Sequence, residues 1–261
     1  MSGQITFDDG AAYEEYMGVW SRMVGEAFLD WLAPATGRRG LDVGCGNGAF
    51  TERIADRCAP SAVHGIDPSE AQLAFARTRP ALRGADFRQG DAMALPYADD
   101  AVDAAVMPLV IFFVPQPAKG VAEMARVVAP GGVVTAYAWD MAGGGFPYAL
   151  LLRELRAMGV DVPTPPSADA SRLDMLTTLW GDAGLDTVET TAIDVQRTFG
   201  SFDEYWATVQ KGPSVGRPLK AMGPDAHVQL QGRLRHALPI DPSGRITIGA
   251  RANAVRGQVR A

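Results

Sequence analysis

The run Leu41-Asp42-Val43-Gly44-Cys45-Gly46-Asn47-Gly48 carries three glycines at alternate positions directly after an acid in an apolar stretch. Glycines so spaced permit a tight turn and let the backbone approach a ligand that a Cβ would push away. Asp67 lies about twenty residues past the last glycine, the distance at which an acid hydrogen-bonds ribose hydroxyls in nucleotide-binding βαβ units. Asp91 follows in Gly90-Asp91-Ala92, and Met107-Pro108-Leu109 makes a fourth turn. Each has an ordinary reading by itself: a tight turn, an acid favouring a helix dipole, a solvated loop residue. Together they sit at the ends of successive strand-like runs, and in an open α/β sheet those ends line the ligand crevice.

Charge narrows the ligand. A dinucleotide site has a Gly-x-Gly-x-x-Gly loop whose helix N-terminus receives a pyrophosphate. Here the third glycine comes one position early and Asp42 precedes the first. A carboxylate near pyrophosphate is repelled by about a kcal/mol even with strong screening, which weakens a nicotinamide-dependent oxidoreductase reading. The same carboxylate suits S-adenosylmethionine, which joins an adenosine to a sulfonium and an amino-acid end and has no phosphate.

The elements that must position these residues are readable from periodicity. Strand-like runs at Gly40–Val43, Ala62–Ile66, Ala85–Arg88, Ala101–Met107 and Val133–Trp139 alternate with helices starting near Asn47, Ser69 and Gln116, the pattern of βαβ units and a parallel sheet. Phe50, Ile54 and Cys58 form one helical stripe, and Ser69 with Gln72 has the spacing of a capping box. Pro130-Gly131-Gly132 is expected to stop the helix ending in Val127-Val128 and to turn the chain into the fifth strand. Ahead of the core, one long or two short amphipathic helices are expected from Ala11 to Leu32, where apolar positions from Tyr16 onward recur at helical spacing until Pro34 breaks the pattern. Behind it, helices over Tyr148–Met158 and Leu173–Ala183 and strands over Asp186–Thr198 and Arg245–Val255 are expected. Helical patterns over Phe202–Leu238 are broken by Pro213, Pro218 and Pro224.

Composition bounds the function. The 261 residues are 47% hydrophobic and 21% charged, ordinary globular values. No apolar run approaches the roughly 20 residues of a membrane span, and no basic n-region with an apolar stretch opens the chain, so a cytoplasmic location is expected. The net charge of −6 and the absence of a dense Lys/Arg block argue against nucleic acid as a partner. Cys45 and Cys58 read as reduced thiols, and no Cys or His cluster has the spacing of a metal site.

Four segments in order, Leu41–Gly48, Gly65-Ile66-Asp67-Pro68-Ser69, Gly90–Tyr97 and Glu123–Gly132, resemble the class I methyltransferases, in particular their type 11, quinone-biosynthesis-like branch. The resemblance runs from about Tyr13 to Asp140. It implies a Rossmann-like, doubly wound α/β fold: a mostly parallel seven-stranded sheet with a terminal antiparallel strand and a helical cap insertion. Residues 1–36 would form a helical lid over the cofactor site and 37–140 the S-adenosylmethionine-binding core. Residues 141–261 would complete the sheet, with cap insertions near 146–160 and 200–240.

By the same resemblance, Gly44, Gly46 and the Cys45 backbone pass under the methionine part of S-adenosylmethionine, whose product is S-adenosylhomocysteine. Asp42 holds the amino end directly or through water. Asp67 takes the ribose hydroxyls, Pro68 and Gln72 flank the nucleoside, Asp91 bonds the adenine amino group with Ala92 beside it, and Met107 lines the floor near the sulfonium. The run Tyr13-x-x-Tyr16-Met17-Gly18-x-Trp20-Ser21-Arg22 closes the pocket, with Arg22 a partner for the methionine carboxylate.

The expected activity is transfer of the methyl group to a small-molecule acceptor, aromatic or lipophilic. The alternative is an S-adenosylmethionine-binding protein without transfer. In-line displacement at an activated carbon asks mainly for alignment and a dry cavity. For a hydroxyl acceptor a general base helps, and His227 and His236, in the cap region, are the candidates; His64 reads as a packed strand histidine. Where many relatives carry a histidine after the fourth strand, this chain has Ile111-Phe112-Phe113-Val114. Phe112, Phe113, Trp139, Phe146, Tyr148, Tyr205 and Trp206 could line an aromatic pocket, although most such rings belong to cores. The acceptor atom and the oligomeric state stay open.

Overall fold

The computed structural model describes residues 14–212 and 215–261. Seven strands, β1 (Arg39–Val43), β2 (Ala62–Asp67), β3 (Asp86–Gln89), β4 (Val102–Pro108), β5 (Val128–Trp139), β6 (Asp186–Phe199) and β7 (Ile246–Gln258), form one sheet in the order β3-β2-β1-β4-β5-β7-β6. β1 to β5 run parallel, and β7 is antiparallel to both β5 and β6. The chain winds outward from β1 to β3, then returns to β4 on the other side of β1. The β1/β4 boundary is therefore the topological switch point, the usual ligand crevice of such sheets.

Helices α1 (Val19–Leu32), α2 (Ala49–Cys58), α3 (Glu70–Ala76), α4 (Pro117–Val127), α5 (Ala149–Ala157), α6 (Leu173–Asp182), α7 (Phe202–Val209), α8 (Gly216–Ala221) and α9 (Pro224–Ala237) complete the fold. The predicted N-terminal helix is a π turn over Glu14–Gly18 followed by α1; its first residues, 11–13, lie outside the described ones. On one face of the sheet Phe28 of α1 and Phe50 of α2 meet over Tyr137, with centroids 4.6 and 5.3 Å from the tyrosine ring. Gly25 permits that approach, since a Cβ there would sit 3.1 Å from the Phe50 ring. On the other face Trp180 of α6 donates its indole N–H to the Val134 carbonyl at 2.9 Å. Pro224 opens α9 at a first-turn position, where its missing N–H costs nothing.

The expectation for Pro130-Gly131-Gly132 needs correction. α4 does end at Val127, but β5 begins at once, and the Pro-Gly-Gly segment is an irregularity inside the strand. Val102 pairs with Val128 whereas Ala104 already pairs with Val133. The extra residues are absorbed where Gly131 has φ +75° and where a Cβ on Gly132 would lie 2.5 Å from the Asp103 carbonyl. Only glycines fit such a bulge.

β6 and β7 outrun the sheet. Trp139, the last residue of β5, pairs with Ala252, which also faces Ile193, and the β6/β7 ladder continues to Phe199↔Ile246. β6 runs parallel to β5, so this ribbon projects past the carboxyl ends of the strands, and α7 follows directly from its tip. Below it, α5 and α9 are tied by the buried Glu154, which accepts from Arg233 Nε at 2.9 Å and from Arg153 Nη2 at 3.0 Å.

Candidate functional site

The chain leaves β1 at the switch point through a turn that only glycine sustains. Gly44, Gly46 and Gly48 have φ of +78°, +51° and +78°. The Gly44 and Cys45 N–H groups both donate to the Ile66 carbonyl at the end of β2, at 2.7 and 3.0 Å. Leu109, left-handed at φ +59° after β4, donates its N–H to Tyr137 O at 2.7 Å. The next residue, Val110, sits so close over Gly44 that a Cβ on that glycine would lie 2.5 Å from a valine methyl. The first and fourth predicted turns thus pack on one another, and the non-glycine positive φ at Leu109 is the kind of strain that functional loops retain.

Two carboxylates flank the turn. Asp42 is fully buried, with Oδ2 accepting from Thr51 Oγ1 at 2.7 Å and Oδ1 without a hydrogen-bond partner. Burial pushes its pKa up to about 7; the Thr51 hydrogen bond opposes the rise and the charge of Asp67 adds to it. A buried acceptor left open is costly and calls for a donor. Asp67 bridges two elements: Oδ2 accepts from Gly46 N at 2.9 Å and Oδ1 from Ser69 N at 2.8 Å. Burial raises its pKa although both N–H groups work against the rise. Each of its oxygens retains acceptor capacity beyond the bond already made. Cys45 is buried beside them as a free thiol, and burial and the two acids push its pKa upward.

The remaining predicted residues are distributed around this centre. Ser69 caps α3, accepting from Gln72 N at 3.4 Å, and Gln72 is buried with its Oε1 4.0 Å from where a Cβ on Gly46 would stand. Pro68 is exposed, and its carbonyl accepts from Gln89 Nε2. Asp91 is exposed, with Oδ1 turned back to Met93 N at 2.8 Å. Ala92, beside it, approaches Gly120 of α4, and the fully buried Met107 points its methyl at the same glycine. Sequence reading places Met107 near a sulfonium; its side chain lies against α4. Tyr16 is buried and stacks on Tyr148 with centroids 4.4 Å apart. The Tyr148 hydroxyl accepts from Trp20 Nε1 at 3.1 Å and donates to Tyr16 O at 2.8 Å, fixing the N-terminal segment to the cap. Arg22 is exposed on α1.

The three histidines have partners of their own or face solvent. His64 lies inside β2, in register with Leu41 and Asp86 and edge-on to Tyr97. His227 Nε2 is 2.7 Å from the Leu219 carbonyl, with Trp206 against its ring, and His236 is exposed. The proposed aromatic set divides: Phe112 pairs with Phe113, Trp139 is buried in β5, and Trp206 meets Phe202 and His227. Phe146, Tyr148 and Tyr205 form a connected group, which reaches Trp206 through Phe202.

Several residues at the site escaped sequence reading. Thr51 was readable only as one more residue of α2, although a hydroxyl in the first turn after a glycine loop faces back toward the preceding strand. Arg126 braces the loop carrying Asp91: its Nη1 donates to Tyr97 O and its Nη2 to Leu95 O, while its partner Glu123 accepts from Leu95 N at 2.8 Å. A cavity of about 510 Å³ lies elsewhere, between α1, α2 and the amino-terminal halves of β1 and β4, and none of residues 42–48, 67 or 91 lines it. Among the described residues, no group of three or more His, Cys, Asp or Glu could hold a metal, and no helix is long and apolar enough to cross a membrane.

Residues 41–136, from the glycine turn to the middle of β5, match the family model described as a methyltransferase domain. That stretch of the chain is similar to that family. The domain resembles the ubiquinone/menaquinone biosynthesis C-methyltransferase of Roseobacter denitrificans, 36% identical over 115 residues that make up 42% of this chain and 46% of that protein. It also resembles the demethylmenaquinone methyltransferase of Renibacterium salmoninarum, 40% identical over 114 residues, 43% of this chain and 44% of that one. The match therefore spans less than half the length of these relatives. A phosphoethanolamine N-methyltransferase of Haemonchus contortus, solved in complex with S-adenosyl-L-methionine, shares the fold at 17% identity with a TM-score of 0.61, over 98% of this chain and 58% of that one. The family match ends within β5, and β6, β7 and the cap lie beyond it.

Proposed function

We propose that this chain binds S-adenosylmethionine at the β1/β4 switch point and transfers its methyl group to a small-molecule acceptor under the cap. The observation that carries the reading is the Asp42 carboxylate, fully buried at a glycine turn with Oδ1 unpartnered. An ammonium donor satisfies that oxygen and offsets the cost of ionising it in a buried place, whereas a pyrophosphate would meet repulsion.

The other residues fit the same ligand. Gly44 and Gly46 hold the backbone open beneath the methionine part, with Cys45 between them. Asp67, oriented by Gly46 N and Ser69 N, offers its remaining lone pairs to the ribose hydroxyls. Pro68 and Gln72 flank the nucleoside, and Asp91 has one oxygen free of its local turn for the adenine amino group, with Ala92 beside it. Tyr16 closes the pocket from the N-terminal side, and Arg22 serves the carboxylate end. When bound, the cofactor supplies a methyl carbon already activated by its sulfonium. The chain's part is alignment and exclusion of water. Neither His227 nor His236 is given a proton-transfer role, since the first is engaged with Leu219 O and the second faces solvent.

Calorimetry with S-adenosylhomocysteine, NAD and NADP tests the cofactor, because a ligand that binds only the native state raises its Tm. S-adenosylhomocysteine should bind and raise Tm; preference for a dinucleotide refutes the reading. Asp67→Ala should weaken binding by about 2–4 kcal/mol through loss of two charge-assisted hydrogen bonds. Incubation with methyl-labelled cofactor and a panel of phenols, quinols and amines separates an enzyme from a binding protein, and tight binding without label transfer to any of them favours the latter.

A further inference from the structure

The inner face of the projecting β6 ribbon is apolar at Ile193, Val195 and Phe199, all buried, but carries an arginine at position 197. The Arg197 guanidinium lies over the Phe199 ring, 4.3 Å from its centroid. Its Nη1 is buried and has no hydrogen-bond partner. Arginines elsewhere on this part of the fold are matched: Arg251 forks Asp194 at 2.8 and 2.9 Å, Arg256 holds Glu189, and Arg233 holds Glu154. Asp194 is on the opposite face of β6 and is taken. Glu204, at the start of α7, is committed to the Gly200 N–H at 2.7 Å. Among the described residues no carboxylate pairs with Arg197.

A buried N–H asks for an acceptor, and Nη1 has none within hydrogen-bond geometry. Its surroundings are aromatic. Phe199 touches Tyr205 at 5.4 Å, Tyr205 touches Tyr148 at 6.4 Å, and Tyr148 stacks on Tyr16. Burial raises the Tyr148 phenol, and the hydrogen bond from Trp20, the Arg197 charge and a hydrogen bond from the Arg197 guanidinium oppose that rise, so the phenol engages part of the guanidinium while Nη1 stays without a partner. This chain of rings leads from Arg197 to Tyr16 of the N-terminal segment.

We infer that the methyl acceptor carries a carboxylate and that Arg197 receives it beneath the cap, among the rings of Phe199, Tyr148 and Tyr205. The inference rests on the methyltransferase reading and names its substrate class. A planar carboxylate matches the guanidinium fork and supplies the missing acceptor, while the aromatic lining takes the apolar body of the same molecule. Arg197 is thus a specificity-determining residue that fixes one end of the acceptor.

The test uses the full chain and matched probes: benzoate, 4-hydroxybenzoate, 2-naphthoate and hexanoate, each against its neutral carboxamide, titrated calorimetrically with and without saturating S-adenosylhomocysteine. In the wild type at least one carboxylate should bind roughly tenfold or more tightly than its amide, as a charge-assisted pair does. Arg197→Gln should bring the pair to within about twofold, and Arg197→Lys should keep part of the preference, since the charge survives but the fork does not. Unchanged affinity for S-adenosylhomocysteine shows that each variant is folded; should Arg197→Gln lose it, Arg197→Lys alone decides, through a weakened preference. Equal binding of acids and amides, no binding of any carboxylate, or a preference that survives in both variants overturns the inference. Failure of S-adenosylhomocysteine to bind would instead sink the cofactor assignment, leaving the carboxylate preference to be read from the titrations without it.

Discussion

Replacing Asp42 by asparagine should change how stability depends on pH, with the sign set by burial. The carboxyl has its pKa raised from 3.8 to about 7 in the fold. Between about pH 4 and pH 7 the folded chain keeps this proton while the unfolded chain has lost it. Stability therefore falls as pH rises through that window and levels off above it. A shift of about three units at 1.36 kcal/mol each amounts to about 4 kcal/mol. Asparagine cannot ionise, so the variant lacks this slope. It carries instead a constant penalty of about 1–3 kcal/mol if its amide N–H faces the place where Oδ1 lacks a partner. Carboxylates held low by arginines, such as Asp103, Glu123 and Asp194, contribute with the opposite sign but equally in both proteins. The difference between variant and wild type isolates Asp42. Urea unfolding from pH 4 to pH 8 should show that difference moving by about 4 kcal/mol in favour of the Asp42→Asn variant as pH rises. Binding reports the same proton: below pH 7 the carboxyl must release it to receive an ammonium. S-adenosylhomocysteine affinity should fall by up to about tenfold per pH unit there, with proton release visible in buffers of different ionisation enthalpy. A stability difference independent of pH, together with binding that releases no proton, would refute the assignment of a neutral buried acid at this turn.

Gly44→Ala should cost about 2–4 kcal/mol, from a positive φ together with a contact of 2.5 Å to Val110, and should be read as a lower Tm and weaker cofactor binding. Tyr148→Phe removes the hydroxyl that joins Trp20 Nε1 to Tyr16 O, and leaving two buried groups unpaired should cost about 1–3 kcal/mol in denaturant unfolding. Arg126→Met should speed amide exchange across residues 90–99, because Leu95, Tyr97 and Asp99 all lose their tether, while exchange in β1 stays slow. Glu123 is held below the usual glutamate range by Arg126, so its contribution is present above the unfolded pKa of 4.5; the same loop should loosen in wild type as pH falls through the lower folded value.

Elements with a strong local period were legible in the sequence. β2, β4, α3 and α6 fall within a residue or two of expectation, because strand alternation, a capping serine and a helical apolar stripe are properties of neighbours in the chain. The β5 bulge was not, since whether Pro130-Gly131-Gly132 ends a strand or sits inside one depends on the register with Val102 and Ala104, which are far away in sequence. The glycine turn and its two acids were likewise legible, as the types and spacing of Asp42, Gly44, Gly46 and Asp67 restrict what can approach them. Thr51 beside Asp42, Val110 over Gly44 and Arg126 behind the Asp91 loop were not.

By itself the sequence determined the parallel core, its crevice and the chemistry of a ligand with a cationic amino end and a nucleoside. Tertiary structure decided the burial that raises the Asp42 pKa, the engagement of His227 with Leu219 O, and the unpartnered Nη1 of Arg197. The reason is physical. Backbone turns and periodicities are set by residues a few positions apart, whereas desolvation and the pairing of charges depend on everything packed around a group, and that is fixed only when distant segments meet.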